Sequence, residues 1–124
     1  MKKILVLLSV TLLLAVTVMG CGSKTENIKM PDLDKEISSG ELGNIFDYST
    51  YEETIKGDKK NIKITLAYNG DVLRVGTITG IRNIIERDLS SKYNEIDLTI
   101  IQEKPEFSSV NYIFQDGKWD KDVE

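Results

Sequence analysis

The strongest constraint on the fold is a change of hydrophobic period within one short stretch. Ile62, Ile64, Leu66 and Tyr68 alternate with Lys63, Thr65 and Ala67, which puts the larger apolar side chains on one side of an extended chain. Further on, Ile81, Ile84, Ile85 and Leu89 stand at i, i+3, i+4 and i+8, a single stripe along a helix. A strand with one apolar face followed by a helix with one apolar stripe calls for a sheet with a helix laid on it.

The flanking residues extend that pattern. Phe46, Tyr48, Tyr51 and Ile55 mark entry into the folded part, with Tyr51 to Ile55 an edge strand or a short helix. Lys56-Gly57-Asp58-Lys59-Lys60 reads as a turn. Asn69-Gly70 is a hairpin signal, so Val72, Leu73, Val75 and Ile78 read as the return strand, with Gly76 a bulge. The helix is expected from about Thr79 to Tyr93, capped by Thr77 or Thr79 and stopped at Asn94. Ile96, Leu98 and Ile100 make another alternating strand, ended by Pro105. Val110, Tyr112 and Phe114 make one more, and Asp116-Gly117 turns it into a brief return around Trp119. The expected fold is α+β: a small two-layer sandwich of β-β-α-β-β order. Its sheet has four to five mainly antiparallel strands and carries one amphipathic helix, over residues 44–124.

The first 21 residues carry a different signal. Lys2 and Lys3 precede an apolar run from Ile4 to Val18, then Met19, Gly20 and Cys21, the only cysteine in the chain. A positive end, a short apolar segment and a small residue before the cut are the parts of a secretory signal. The run is short for a spanning helix, which needs about 20 residues. Val18-Met19-Gly20-Cys21 resembles the lipobox of bacterial lipoproteins, with Met19 departing from the usual small or hydroxylated residue. The resemblance covers residues 1–21 alone. It implies cleavage between Gly20 and Cys21, a covalent diacylglycerol on the Cys21 sulfur, and lipid anchoring on the outer side of the cell membrane. Residues 1–20 are then a signal peptide, and residues 21–43 the lipidated N-terminus and a flexible tether of up to about 70 Å at 3.3 Å per residue. Within the tether, Pro31 could open a short helix carrying Leu33 and Ile37. The released leader, rich in Leu and Val, could itself act as a peptide signal.

Composition narrows what the rest can do. Of 16 basic and 20 acidic residues, removal of Lys2 and Lys3 leaves 14 basic, a net charge of about −6. That argues against nucleic acid, whose binding needs a basic face, and against a domain lying flat on anionic lipid. A cationic peptide or protein is the partner that acidity would suit. The chain has no histidine, which excludes Ser-His-Asp and Cys-His nucleophiles and imidazole metal ligands. No cofactor beyond the acyl group is expected.

Candidate chemistry is sparse. Asp116, Asp120, Asp122 and Glu124 lack the ligand spacing of a calcium loop, and Asp32, Asp34 and Glu36 read as solvated charge. Glu52 with Glu53, or Glu86 with Asp88, would serve as an acid–base pair only if a pocket drove their pKa values apart. Lys56, Lys59, Lys60 and Lys63 cluster at one turn that could touch an anionic surface. Tyr68, Tyr112 and Trp119 are the candidate binding surface, as aromatics on the open face of the sheet. The expected function is a lipid-anchored, non-enzymatic binding or accessory module, of inhibitor or immunity type, contacting another exported protein. The alternatives are a carboxylate-dependent cell-wall hydrolase and a structural spacer of an envelope assembly.

Overall fold

The computed structural model describes residues 23–38, 46–69, 73–103 and 106–123. Gly20 and Cys21, with the rest of the leader, lie outside the described residues. The elements are β1 (Ser23–Ile28), α1 (Pro31–Ser38), β2 (Phe46–Lys56), β3 (Lys59–Tyr68), α2 (Val75–Leu89), β4 (Glu95–Gln102), β5 (Ser108–Gln115) and β6 (Lys118–Trp119). The strands form one six-stranded sheet in chain order, antiparallel throughout except for the parallel pair of β3 and β4.

The α+β class holds, and the described residues form six strands rather than four or five, two helices rather than one, and a mixed sheet. One local event accounts for the mixing. Val75 and Ile78, expected on a return strand after Asn69-Gly70, lie in α2. Ile78 joins Ile81, Ile85 and Leu89 in the buried stripe, so an apolar residue that also fits an alternating pattern belongs to the helix. Residues 70–72 lie outside the described residues. The 15 residues of α2 carry the chain back to the end of the sheet where β3 began, and a strand entering from that end must run parallel. Its N-cap is Arg74, with extended backbone and no side-chain cap. Thr77 therefore lies inside the first turn instead of capping it. Asn94 does not stop the helix. It locks β3, where its side-chain oxygen accepts from the Lys60 N–H at 2.8 Å and its own N–H donates to the Lys60 carbonyl at 2.7 Å.

Residues 23–38, expected in the tether, are an edge strand and a helix. β1 pairs with β2 from Ser23 opposite Lys56 to Ile28 opposite Tyr51, so β2 is an interior strand. In α1, Leu33 and Ile37 are buried in the same core as α2. Both helices lie on one face of the sheet, beside each other. The core between the layers is made of Ile62, Ile64 and Leu66 from β3, Ile96, Leu98 and Ile100 from β4, and Ile81 and Ile85 from α2, each at most 2 % exposed. Burying an aliphatic side chain of this size contributes about 1.5–3 kcal/mol.

Two turns fold as their residues demand. Asp116 and Gly117 have φ of 55° and 81°, the two positive values a type I′ hairpin requires. Gly57, with φ of 63°, opens the two-residue turn between β2 and β3.

Candidate functional site

Register decides which side chains the sheet offers to a partner. Ile64, opposite Tyr51 and Leu98, faces the helices, and Leu98 is in turn opposite Tyr112. Thr50, Thr65, Thr99 and Asn111 form the next row and face away. Glu52, Lys63, Asp97 and Ile113 form the row beyond that. The face that no described helix covers is thus largely polar and rich in threonine. Asn111 pins it: its Nδ2 donates to Asp97 Oδ1 at 2.6 Å, Thr99 Oγ1 at 2.9 Å and the Leu98 carbonyl at 3.2 Å. At one margin Tyr48, opposite Ala67 in register, is 46 % exposed.

The expected aromatic binding surface is not on this face. Tyr68 and Tyr112 are 9 % and 4 % exposed within the helix-side core. Trp119 also packs on that side, edge-on to Phe114 with ring centroids 5.3 Å apart, and its Nε1 donates to Glu86 Oε1 at 2.9 Å. The reason is parity: Tyr68 shares the side of Ile64 and Leu66, and Tyr112 that of Phe114. The Arg82 guanidinium lies over the Tyr112 and Trp119 rings at 5.0 and 4.6 Å, tying α2 to the C-terminal hairpin. Tyr48 is the tyrosine that the sequence leaves furthest from the core pattern, and it is exposed, as is Phe107 at 67 %.

On the covered side, polar groups act as buckles. Asp34 Oδ1 accepts from Ser49 Oγ and Tyr51 Oη, each at 2.6 Å, fixing α1 over β2. Burial, reinforced by the Asp34 carboxylate, pushes the Tyr51 hydroxyl well above the ordinary tyrosine range. Tyr93 Oη donates to Glu53 Oε2 at 2.6 Å, and burial together with that carboxylate raises its pKa likewise. Lys60 Nζ stands 3.6 Å from the same Glu53 oxygen. Both hydroxyls are donors at neutral pH and neither is a base. Ser49 gives its proton to a carboxylate with no imidazole in the chain to relay it.

The carboxylate pairs read from sequence are not brought into a pocket as pairs. Glu52 and Glu53 point to opposite faces of β2, with Glu53 buried and Glu52 exposed. Glu86 accepts from Trp119. Asp88 shares a hydrogen bond with Glu36, which raises Glu36 and lowers Asp88, and Arg87 bridges both, at 2.9 Å from Glu36 and 3.1 Å from Asp88. Another pair meets at one cleft of about 530 Å³, lined by Asp47, Tyr68, Asn69 and Glu103, where Asn69 Nδ2 donates to Asp47 Oδ1 at 2.8 Å. Asp120 Oδ1 accepts from the Ile113 N–H at 2.9 Å, while Asp116 sits in the turn. Among the described residues no group of three or more His, Cys, Asp or Glu is placed to hold a metal ion. Nor is any helix among them long and apolar enough to cross a membrane.

No family model matches the chain, and no curated protein does. Among solved structures it is similar to the crystal structure of the sex pheromone staph-cAM373 precursor, with a TM-score of 0.52 and 12 % identity over 81 % of this chain. The chain spans 44 % of that protein's length. At that identity the likeness establishes a shared fold.

Proposed function

We propose that the chain is a lipid-anchored, extracytoplasmic lipoprotein whose domain is a non-enzymatic binding module. Its contact surface is the open face of the sheet, presented to another exported protein. The observation that carries this reading is the uncovered face itself: largely polar, cross-linked by the Asn111 hydrogen bonds, and margined by the half-exposed Tyr48. A largely polar surface with an aromatic at the rim suits protein contacts, because tyrosine adds contact area at low entropic cost. Inhibition or immunity against a cationic partner fits the acidic balance of the chain. A photo-crosslinking residue at Thr65, with another at Ser91 as control, tests the proposal on intact cells. One repeatable adduct to a single exported protein from position 65 is expected; adducts equal at both positions, or none, would overturn it.

A carboxylate-dependent hydrolase is the second reading, supported by Asp47 and Glu103 meeting at one cleft. It requires that purified protein degrade wall material and that Glu103→Gln abolish the activity.

A further inference from the structure

The strand that follows the anchor begins almost at the anchor. Ser23, two residues after Cys21 in the chain, already pairs with Lys56, and two residues span at most about 7 Å. Under the lipoprotein reading no long tether separates the domain from the bilayer, and the end of the sheet holding Ser23 stays within reach of it.

That end is lysine-rich. Lys56 and Lys59 are paired across the β2–β3 turn, and Lys60 follows. Lys118 pairs with Gln115 beside Glu95 at the same end, and Lys92 lies just past the end of α2. Lys56, Lys59, Lys92 and Lys118 are exposed. The facing carboxylates are Asp58 and Asp116 in the turns, Glu95 at the start of β4, Asp88, whose charge Lys92 faces, and Glu53, which Lys60 bridges at 3.6 Å. The opposite end has the other sign among the described residues: Asp47, Glu103 and Glu106 are exposed there against Arg74. The ten residues of β3 separate the two ends by about 33 Å, several times the screening length of about 8 Å at physiological ionic strength.

We infer that this lysine-rich end docks on the anionic headgroups of the membrane that carries the anchor, standing the strands upright with the acidic end outward. The inference rests on acylation of Cys21. Each lysine near such a surface multiplies local partitioning about fivefold and each exposed carboxylate beside it opposes that, so the pull comes from the excess of exposed lysines, Lys56, Lys59, Lys92 and Lys118 against the exposed Asp58 and Asp116; the acidic far end is repelled, and the asymmetry sets orientation as well as contact. The open face then points sideways, toward neighbours anchored in the same leaflet.

The test uses the full acylated protein in vesicles rich in phosphatidylglycerol or made of phosphatidylcholine alone. A bimane label is placed on Ser91→Cys at the lysine-rich end or Ser108→Cys at the far end, and headgroup-linked nitroxide lipid is the quencher. Expected is strong quenching at 91 and weak quenching at 108 in anionic vesicles, with the difference lost on phosphatidylcholine and in 1 M salt, where the screening length falls to about 3 Å. Replacing Lys56, Lys59, Lys92 and Lys118 together by Gln should bring quenching at 91 down to the level at 108. Arg at the same positions should retain it, which separates charge from any loss of folding. Equal quenching at the two sites, or quenching indifferent to lipid charge, overturns the docking while an acyl mass on Cys21 leaves the anchor standing. Absence of that mass removes both.

Discussion

The Tyr51 hydroxyl donates to Asp34 Oδ1 at 2.6 Å across 17 positions of sequence, and Ser49 donates to the same oxygen at the same distance. One carboxylate oxygen thus holds α1 on β2. Tyr51→Phe removes one charge-assisted bond and should cost about 1–2 kcal/mol, whereas Asp34→Ala strands two hydroxyls and should cost about 2–3 kcal/mol. Denaturant midpoints at neutral pH check the order, and equal costs would contradict it.

Alkali should unfold the protein through the same contact. Tyr51 and Tyr93 have pKa values raised above the ordinary 10.0 because burial disfavours the phenolate and a carboxylate stands beside each. A raised native pKa gives stability that is complete below the unfolded value and lost as pH climbs above it. Stability should therefore be level up to about pH 10 and fall beyond, with a shallower fall in Tyr51→Phe and Tyr93→Phe. Urea melts across that range give the slope.

The two glycine classes should respond with opposite signs. Gly117 holds φ of 81° in the β5–β6 turn, where a Cβ is strained, so Gly117→Ala should cost about 1–2 kcal/mol. Gly76 lies in the first turn of α2 with open space where a Cβ would go, so Gly76→Ala should stabilise by about 0.5–1 kcal/mol. Thermal melts of the two variants decide.

Residues on opposite faces of the neighbouring strands β3 and β4 should differ sharply. Leu98→Ala empties a fully buried site between the layers and should cost about 2–5 kcal/mol. Thr65→Ala on the uncovered face should stay within about 0.5 kcal/mol. Comparable losses at the two positions would refute the assignment of faces.

Replacing Cys21 by Ser should release the protein from membranes into the medium or periplasm, with loss of an acyl mass from the N-terminal peptide. Membrane retention by the variant would overturn the anchoring proposal.

Where one local pattern determined a segment, the sequence was legible. Ile62, Ile64 and Leu66 became a strand with one buried face, Ile81, Ile85 and Leu89 a helical stripe, and Asp116-Gly117 a hairpin, because each rests on steric rules acting over a few residues. Legibility failed where two periods fit the same letters. Ile78 suits both a strand and a helix, and α2 claimed it because it completes a stripe that Ile81 and Ile85 cover. Residues 23–38 looked like a tether because their polar alternation offers few apolar groups. Leu33 and Ile37 are buried only because β2 and α2 supply the other wall.

The candidate surface shows the same division. Composition alone determined that the chain carries no histidine and that its tyrosines and tryptophan are few. Which of them face solvent depended on register and on which face the helices cover. Those are long-range choices: shifting a strand by one residue exchanges its faces, and nothing in a strand's own alternation says which face the helices will take. The chain's letters therefore determined β3, β4 and β5, the buried stripe of α2 and the tight turns at Gly57 and Asp116-Gly117. Tertiary packing decided the parallel β3–β4 pair, the burial of Tyr68 and Tyr112, and the gathering of lysines at the end where Ser23 enters the sheet.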